Sequence, residues 1–336
     1  MSFKRLDPED FVVSADAVQS TAWSTGAPTL TNFNYSSIQK AGSSGAFYLS
    51  VYQTSSVLSE AAVQFDIAYG NSTGGGSTAY NSTVPGNTPS TSVYGQYRSL
   101  VLEDENATFT FGSGDNFITA TDFWVLSIER SRYKEKIFPG TFNITLSGSG
   151  GLLYLTDNSN NVTVQTYLGS NRVYQIVSGS NGSAYSGDGY VANSGSYGLL
   201  LPDIGTMLLN PNAISQSIQV DADVTVGLAD GTNQQTLFDA IASGSSFQLN
   251  AEETITSDYI FINTKASEFN YSENPSFISG STGEVIYDVF INNPQTYPTT
   301  VGLYNDSNEL LAVAKLSRPL LNDFTKALLI RCKLDF

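Results

Sequence analysis

Short runs of β-branched and aromatic residues, each closed by Gly, Ser, Asn or Pro, recur along most of the 336-residue chain. Such runs suit a pleated, half-buried surface, and the residues that close them break it, so the chain is restricted to sheets of short strands. In residues 63–69, Val63, Phe65, Ile67 and Tyr69 alternate with Gln64, Asp66 and Ala68, which predicts a strand with one face inward. Residues 46–52, 97–102, 108–111 and 122–128 continue the pattern. Residues 70–92 hold no periodicity; a stretch of that length is a functional surface loop or is locally disordered.

The same signals divide the chain into three expected domains: an N-terminal β domain over 1–140, a middle β module over 141–246 and a C-terminal β domain over 247–336 that packs with the first. The fold class is mainly β, built of sandwich-like or barrel-like modules with few short helices. In the middle module, strands are expected at 142–146, 152–155, 162–168, 172–177, 197–201 and 206–210. Its one helix is predicted at 233–243, where Asn233 can cap, Leu237 and Ile241 share a face and Gly244 stops the turn. In the last region, 258–263, 284–292 and 300–304 read as strands. Residues 309–316 (ELLAVAKL) close a hairpin after the turn at 305–308, or form a helix. Residues 327–336 alternate Leu328, Ile330, Cys332 and Leu334 against Leu329, Arg331, Lys333 and Asp335, the period of a strand.

Composition removes several kinds of chemistry. The chain contains no histidine and a single cysteine, Cys332. Catalytic triads that need a histidine base, His-containing zinc sites and internal disulfides are therefore excluded within it. No phosphate-binding GxxxxGK[ST] motif occurs. The net charge is −16, which opposes binding to nucleic acid and to anionic membrane surfaces. Charged residues make up only 14%, against roughly 25% in ordinary soluble domains, so Ser, Thr, Asn and Gln must supply most of the solvation. Residues 1–10 lack an apolar run behind their two basic residues, and no segment approaches ~18 apolar residues, so neither a secretory signal nor a membrane span is expected. No cofactor and no metal are expected.

Four features are candidates for chemistry or recognition. Arg130, Arg132, Lys134 and Lys136 would share one face of a strand, either as a docking surface for an acidic neighbour or as a charged edge that blocks pairing. The acidic runs 103–105 and 252–253 could serve glycan cleavage if two carboxyls faced a sugar across about 5–9.5 Å; otherwise they are solvated turns. Cys332, among basic neighbours, reads as a small buried hydrophobe. The Tyr and Phe content supplies both core and contact area.

Several blocks resemble a group of virion structural proteins of tailed bacteriophages, chiefly large contractile-tailed phages of marine bacteria. The blocks are DYIF at 258–261, EFNYSENPSF at 268–277, VGLYND at 301–306 with ELLAVAKLSRP at 309–319, RYKEKIFPGTFNITL at 132–146 and YGLLLPDIGTMLLNP at 197–211. The resemblance implies a non-enzymatic virion part in the tail or baseplate, assembled in the host cytoplasm. Its partners would be other phage structural proteins and further copies of itself in a closed oligomer. A neck, head-decoration or receptor-binding and glycan-binding appendage role is the alternative, with host glycan as its ligand. On this reading Arg132, Lys134, Lys136, Phe269, Tyr271, Phe277, Lys315, Arg318 and Phe336 are the expected interface residues, and the termini are expected to exchange strands with neighbours.

Overall fold

The computed structural model describes residues 3–38, 48–78, 87–225, 232–271 and 274–335, with backbone alone at 36–38. The protein is mainly β with few short helices, as the punctuated sequence predicts. It forms two compact units, a larger one over Val18–Glu253 and a smaller one that joins Met1–Ala17 to Thr254–Phe336. The expected boundary at 140/141 falls inside the larger unit, and hydrogen bonding shows why. Asn143–Gly148 pairs with Ser246–Gln248, which pairs in turn with Thr29–Leu30, so residues from all three expected domains meet in one sheet.

That sheet dominates the larger unit. From one end its strands run Thr29–Leu30, Ser246–Gln248, Asn143–Gly148, Gly151–Asp157, Asn171–Ser180 and Gly198–Leu201. They continue through Thr206–Leu209, Asp122–Ile128, Val63–Asn71 and Leu49–Tyr52 to Asn34–Ile38. Every neighbouring pair is antiparallel. Phe247, near one end, and Phe65, near the other, have ring centroids 5.3 Å apart, and Trp23 packs on both at 4.9 and 6.3 Å. Rings from opposite ends can touch only because the sheet curls back on itself.

The curl encloses one core, and the opposite face of the same sheet carries a second. Alternate residues serve the two: Trp124 and Leu126 point into the first, Phe123 and Val125 into the second. Leu200, Met207 and Leu209 belong to the inner core, whereas Leu199, Leu201 and Leu208 belong to the outer one. Burial on both faces explains why Gly198–Leu201 and Thr206–Leu209 read as unbroken apolar runs with no polar alternation.

Helices fill the inner core and roof the outer one. Thr232–Gly244, the helix predicted from the sequence, buries Leu237, Phe238, Ala240 and Ile241 inside the curl. It lies so close to the sheet that a Cβ on Gly244 would come within 1.9 Å of the Thr145 carbonyl oxygen, which leaves glycine as the residue that fits. Trp124 Nε1 donates to the Asn233 carbonyl at 3.0 Å and ties the helix to the sheet. Pro211–Ile218 starts at Asn210, whose side-chain oxygen accepts from the Asn212 and Ala213 amides. Pro89–Tyr97 and its continuation Arg98–Leu102 roof the outer core.

Three sequence expectations change here. Residues 97–102, expected as a strand, are helical, because Thr88 caps the helix that begins at Pro89 and the chain continues through it. Residues 284–292 are irregular apart from the short helix Val289–Asn292. Arg130–Arg132 is a tight helical turn and Lys136–Ile137 a two-residue strand, so the four basic residues do not line one strand face.

The strand Asn250–Thr264, which belongs to the smaller unit from Thr254 on, lies between Phe11–Thr21 and Leu328–Asp335. Thr300–Tyr304 and Leu310–Lys315 form the expected hairpin, so residues 309–316 are not helical. The core of this unit is thin: Ile260, Ile330 and Cys332 are its buried members, with half-buried Leu6, Ile262, Val301 and Leu303 packed around them.

Candidate functional site

Alternation along Leu328–Asp335 sends Ile330 and Cys332 inward and leaves Leu329, Arg331 and Lys333 outward, as the period-2 pattern predicts. Cys332 is buried, and burial pushes its thiol up, which favours the protonated thiol over the thiolate. Lys333 and Arg331 sit over the Tyr259 ring at 5.9 and 5.7 Å. Lys333 also pairs with Asp335 at 2.8 Å, which raises the lysine and lowers the carboxyl from their ordinary values.

The hairpin repeats this division between faces. Val301, Leu303 and Ala314 turn toward the thin core. On the opposite face Gly302 stands across from Val313 and Tyr304 across from Leu310, and the side chains of Tyr304 and Leu310 close over Gly302. Tyr304, Leu310 and Val313 are exposed, as is neighbouring Leu311. The turn is held by Asn305, whose side-chain oxygen accepts from the Ser307 and Glu309 amides. Among the described residues neither outer edge of this hairpin is paired.

The third element is the strand Phe11–Thr21. It lies at the edge of its sheet and is exposed over almost its whole length, with Phe11, Val12 and Val13 uncovered. Edge strands normally carry charge, proline or a bulge that prevents pairing. The FVVSADAVQST sequence carries one charge, Asp16. The smaller unit, under a third of the chain, holds more than half of the exposed large apolar side chains among the described residues.

The expected interface residues divide into three groups. Lys134 pairs with Glu253 and Lys136 lies 3.9 Å from Glu252, so both bind carboxylates of their own unit. Arg132 donates to Ser131 Oγ. Phe277 packs edge-on against Phe290 with centroids 4.7 Å apart, and Phe269 is half-buried with its carbonyl accepting from Thr296 at 2.6 Å. Tyr271, Lys315 and Arg318 are exposed, and the two basic residues carry no ion pair among the described residues. Phe336 lies outside the described residues. Arg132, Lys134 and Lys136 belong to the larger unit and the other described residues of this set to the smaller one. The exposed edge Phe11–Val13 and the outer hairpin face went unnoticed in the sequence, although the alternation in 300–304 and 310–315 was there to be read.

The acidic runs are also engaged. Glu103 accepts from the Ser170 amide and hydroxyl at 2.9 and 2.6 Å, while Glu252 and Glu253 hold the two lysines. No cluster of three potential metal-ligating side chains occurs among the described residues. Comparison with protein families, with characterised proteins and with solved structures returns no match.

Proposed function

We propose that this chain is a non-enzymatic structural subunit that assembles through the apolar edge and face of its smaller unit. The carrying observation is the strand Phe11–Thr21, an uncharged apolar start on an unprotected sheet edge. In a protein that stays alone such an edge is an aggregation hazard; in a subunit it is a template for main-chain hydrogen bonds from a neighbour. The outer hairpin face of Tyr304, Leu310 and Val313 supplies apolar area of the kind that partner surfaces cover. The resemblance of the 258–319 blocks to contractile-tailed phage proteins extends this reading to a virion part in the tail or baseplate.

Two measurements test it. The mass of the purified chain in solution is expected to be that of a closed oligomer, or to become one when the products of neighbouring genes are added. Val13→Lys and Leu310→Glu are expected to abolish that assembly. A wild-type chain that stays monomeric with those partners, and that is missing from purified particles by mass spectrometry, would overturn the proposal.

A further inference from the structure

A cavity of about 330 Å³ opens in the larger unit between the helix Pro89–Tyr97 and the strands Val63–Asn71 and Asp122–Ile128. Its volume lies at the lower end of small-molecule sites, roughly 300–1,000 Å³. Asp66, Tyr97 and Ser127 supply its polar lining, and Ala68, Val93 and Val125 supply apolar wall. Asp66 Oδ1 is buried and has no hydrogen-bond partner among the described residues. An unsatisfied buried acceptor is rare and costly, and it is filled wherever a donor is at hand.

Charge narrows the choice of donor. Burial pushes the Asp66 carboxyl above its ordinary value, Ser50 opposes the shift, and the carboxylate of Glu129 adds to it. Tyr97, hydrogen-bonded with Ser127, is likewise raised, by burial first and by Asp66 among the remaining causes. The acceptors the cavity offers are the Asp66 carboxyl and the hydroxyl oxygens of Ser127 and Tyr97. A divalent metal would need several carboxylates or imidazoles, and no such cluster exists among the described residues. A primary ammonium carries one charge and three donors, which the carboxylate, serine and tyrosine oxygens can accept. A short alkyl chain behind it would lie on the valine and alanine wall.

We propose that this cavity binds a small primary alkylammonium, with Asp66 as its counter-charge. The site is independent of the assembly surfaces on the smaller unit.

The test is calorimetric titration of the full chain with n-butylammonium chloride, with 1-butanol as the neutral control. Saturable binding of the amine and none of the alcohol is expected. Asp66→Asn is expected to weaken it by about tenfold or more, because a charge-assisted hydrogen bond is lost. Gln96→Trp, at the exposed rim of the cavity, is expected to block entry without touching either core. It decides the matter should Asp66→Asn fail to fold. No saturable binding by the wild type, equal binding of amine and alcohol, or unchanged affinity in both variants would overturn the proposal.

Discussion

The two units use β structure in opposite ways. The larger one curls a single sheet until its ends meet and buries both faces of its central strands. Gln64 shows the thoroughness: fully buried, it exchanges hydrogen bonds with Ser24, Gln53 and Ala62. Among the described residues the smaller unit buries three apolar side chains, Ile260, Ile330 and Cys332, and leaves apolar faces and an uncovered edge outside. Stability comes from area removed from water, so a unit that leaves much of its apolar surface exposed gains less from its own folding. The contrast teaches that the larger unit is a finished scaffold, whereas the smaller one leaves apolar surface uncovered.

The largest effect should come from breaking the scaffold. Trp124→Ala removes a side chain buried in the inner core together with its bond to Asn233, and should cost about 3–5 kcal/mol, measured by denaturant unfolding. Gly244→Ala should cost about 1–3 kcal/mol, because the added methyl meets the Thr145 carbonyl. Ile330→Ala, in the thin core, should lie near the lower end of the usual range, about 2 kcal/mol. Its signature is regional: amide exchange should quicken within 254–335 while the larger unit keeps its protection. Val13→Lys should change the stability of the isolated chain by no more than about 0.5 kcal/mol and yet remove assembly. If it instead raised solubility with assembly intact, the edge would be a liability and not a contact.

Acidity should separate the units by the smallest margin. In the larger unit hydrogen bonds lower Glu103 and Asp223, against its burial Arg172 lowers Asp203, and burial raises Asp66, Asp122 and Asp157, so at the three raised groups the folded state takes up protons before the unfolded chain does. The penalty these groups impose is present above their raised values and is relieved as pH falls through them. In the smaller unit hydrogen bonds lower Glu268, Asp323 and Asp335. Their contribution is present above the ordinary carboxylate range and is lost as pH falls through the lowered values. Thermal unfolding followed from neutral to acid pH should show the smaller unit's transition fall relative to the larger unit's.

Much of the local structure was legible in the sequence, and the reasons it was or was not are specific. The helix over 233–243, the hairpin and the last strand were readable because periodicity and turn residues agreed. Asn233, expected as the cap, lies inside the helix, and its side chain bonds the Asp223 amide and the Gly76 and Asp223 carbonyls instead. Residues 97–102 misled because Tyr, Leu and Val suit strands, and the Thr88–Pro89 start that decides the matter lies eight residues upstream. Residues 284–292 are rich in β-branched and aromatic side chains, yet among the described residues they pair only through one isolated bridge, Val285 with Ile278. The pairing of Thr29–Leu30 with Ser246–Gln248 joins segments that no local pattern connects. The site was the least legible part. Charge drew the eye to Lys134 and Lys136, but in a chain this acidic a carboxylate of the same unit answers each lysine first.

The strand Phe11–Thr21 also sets a schedule for synthesis. Its sheet partner, Asn250–Thr264, is made more than two hundred residues later. At ordinary elongation rates the wait is on the order of tens of seconds. Throughout it Phe11, Val12 and Val13 trail in solution as an unpaired apolar segment. The curled sheet cannot close until Ser246–Gln248 has arrived, so neither unit can finish early. On a crowded ribosome array, neighbouring nascent chains hold the same segment ready at the same time. Aggregation between nascent chains is the hazard that this long-range pairing carries.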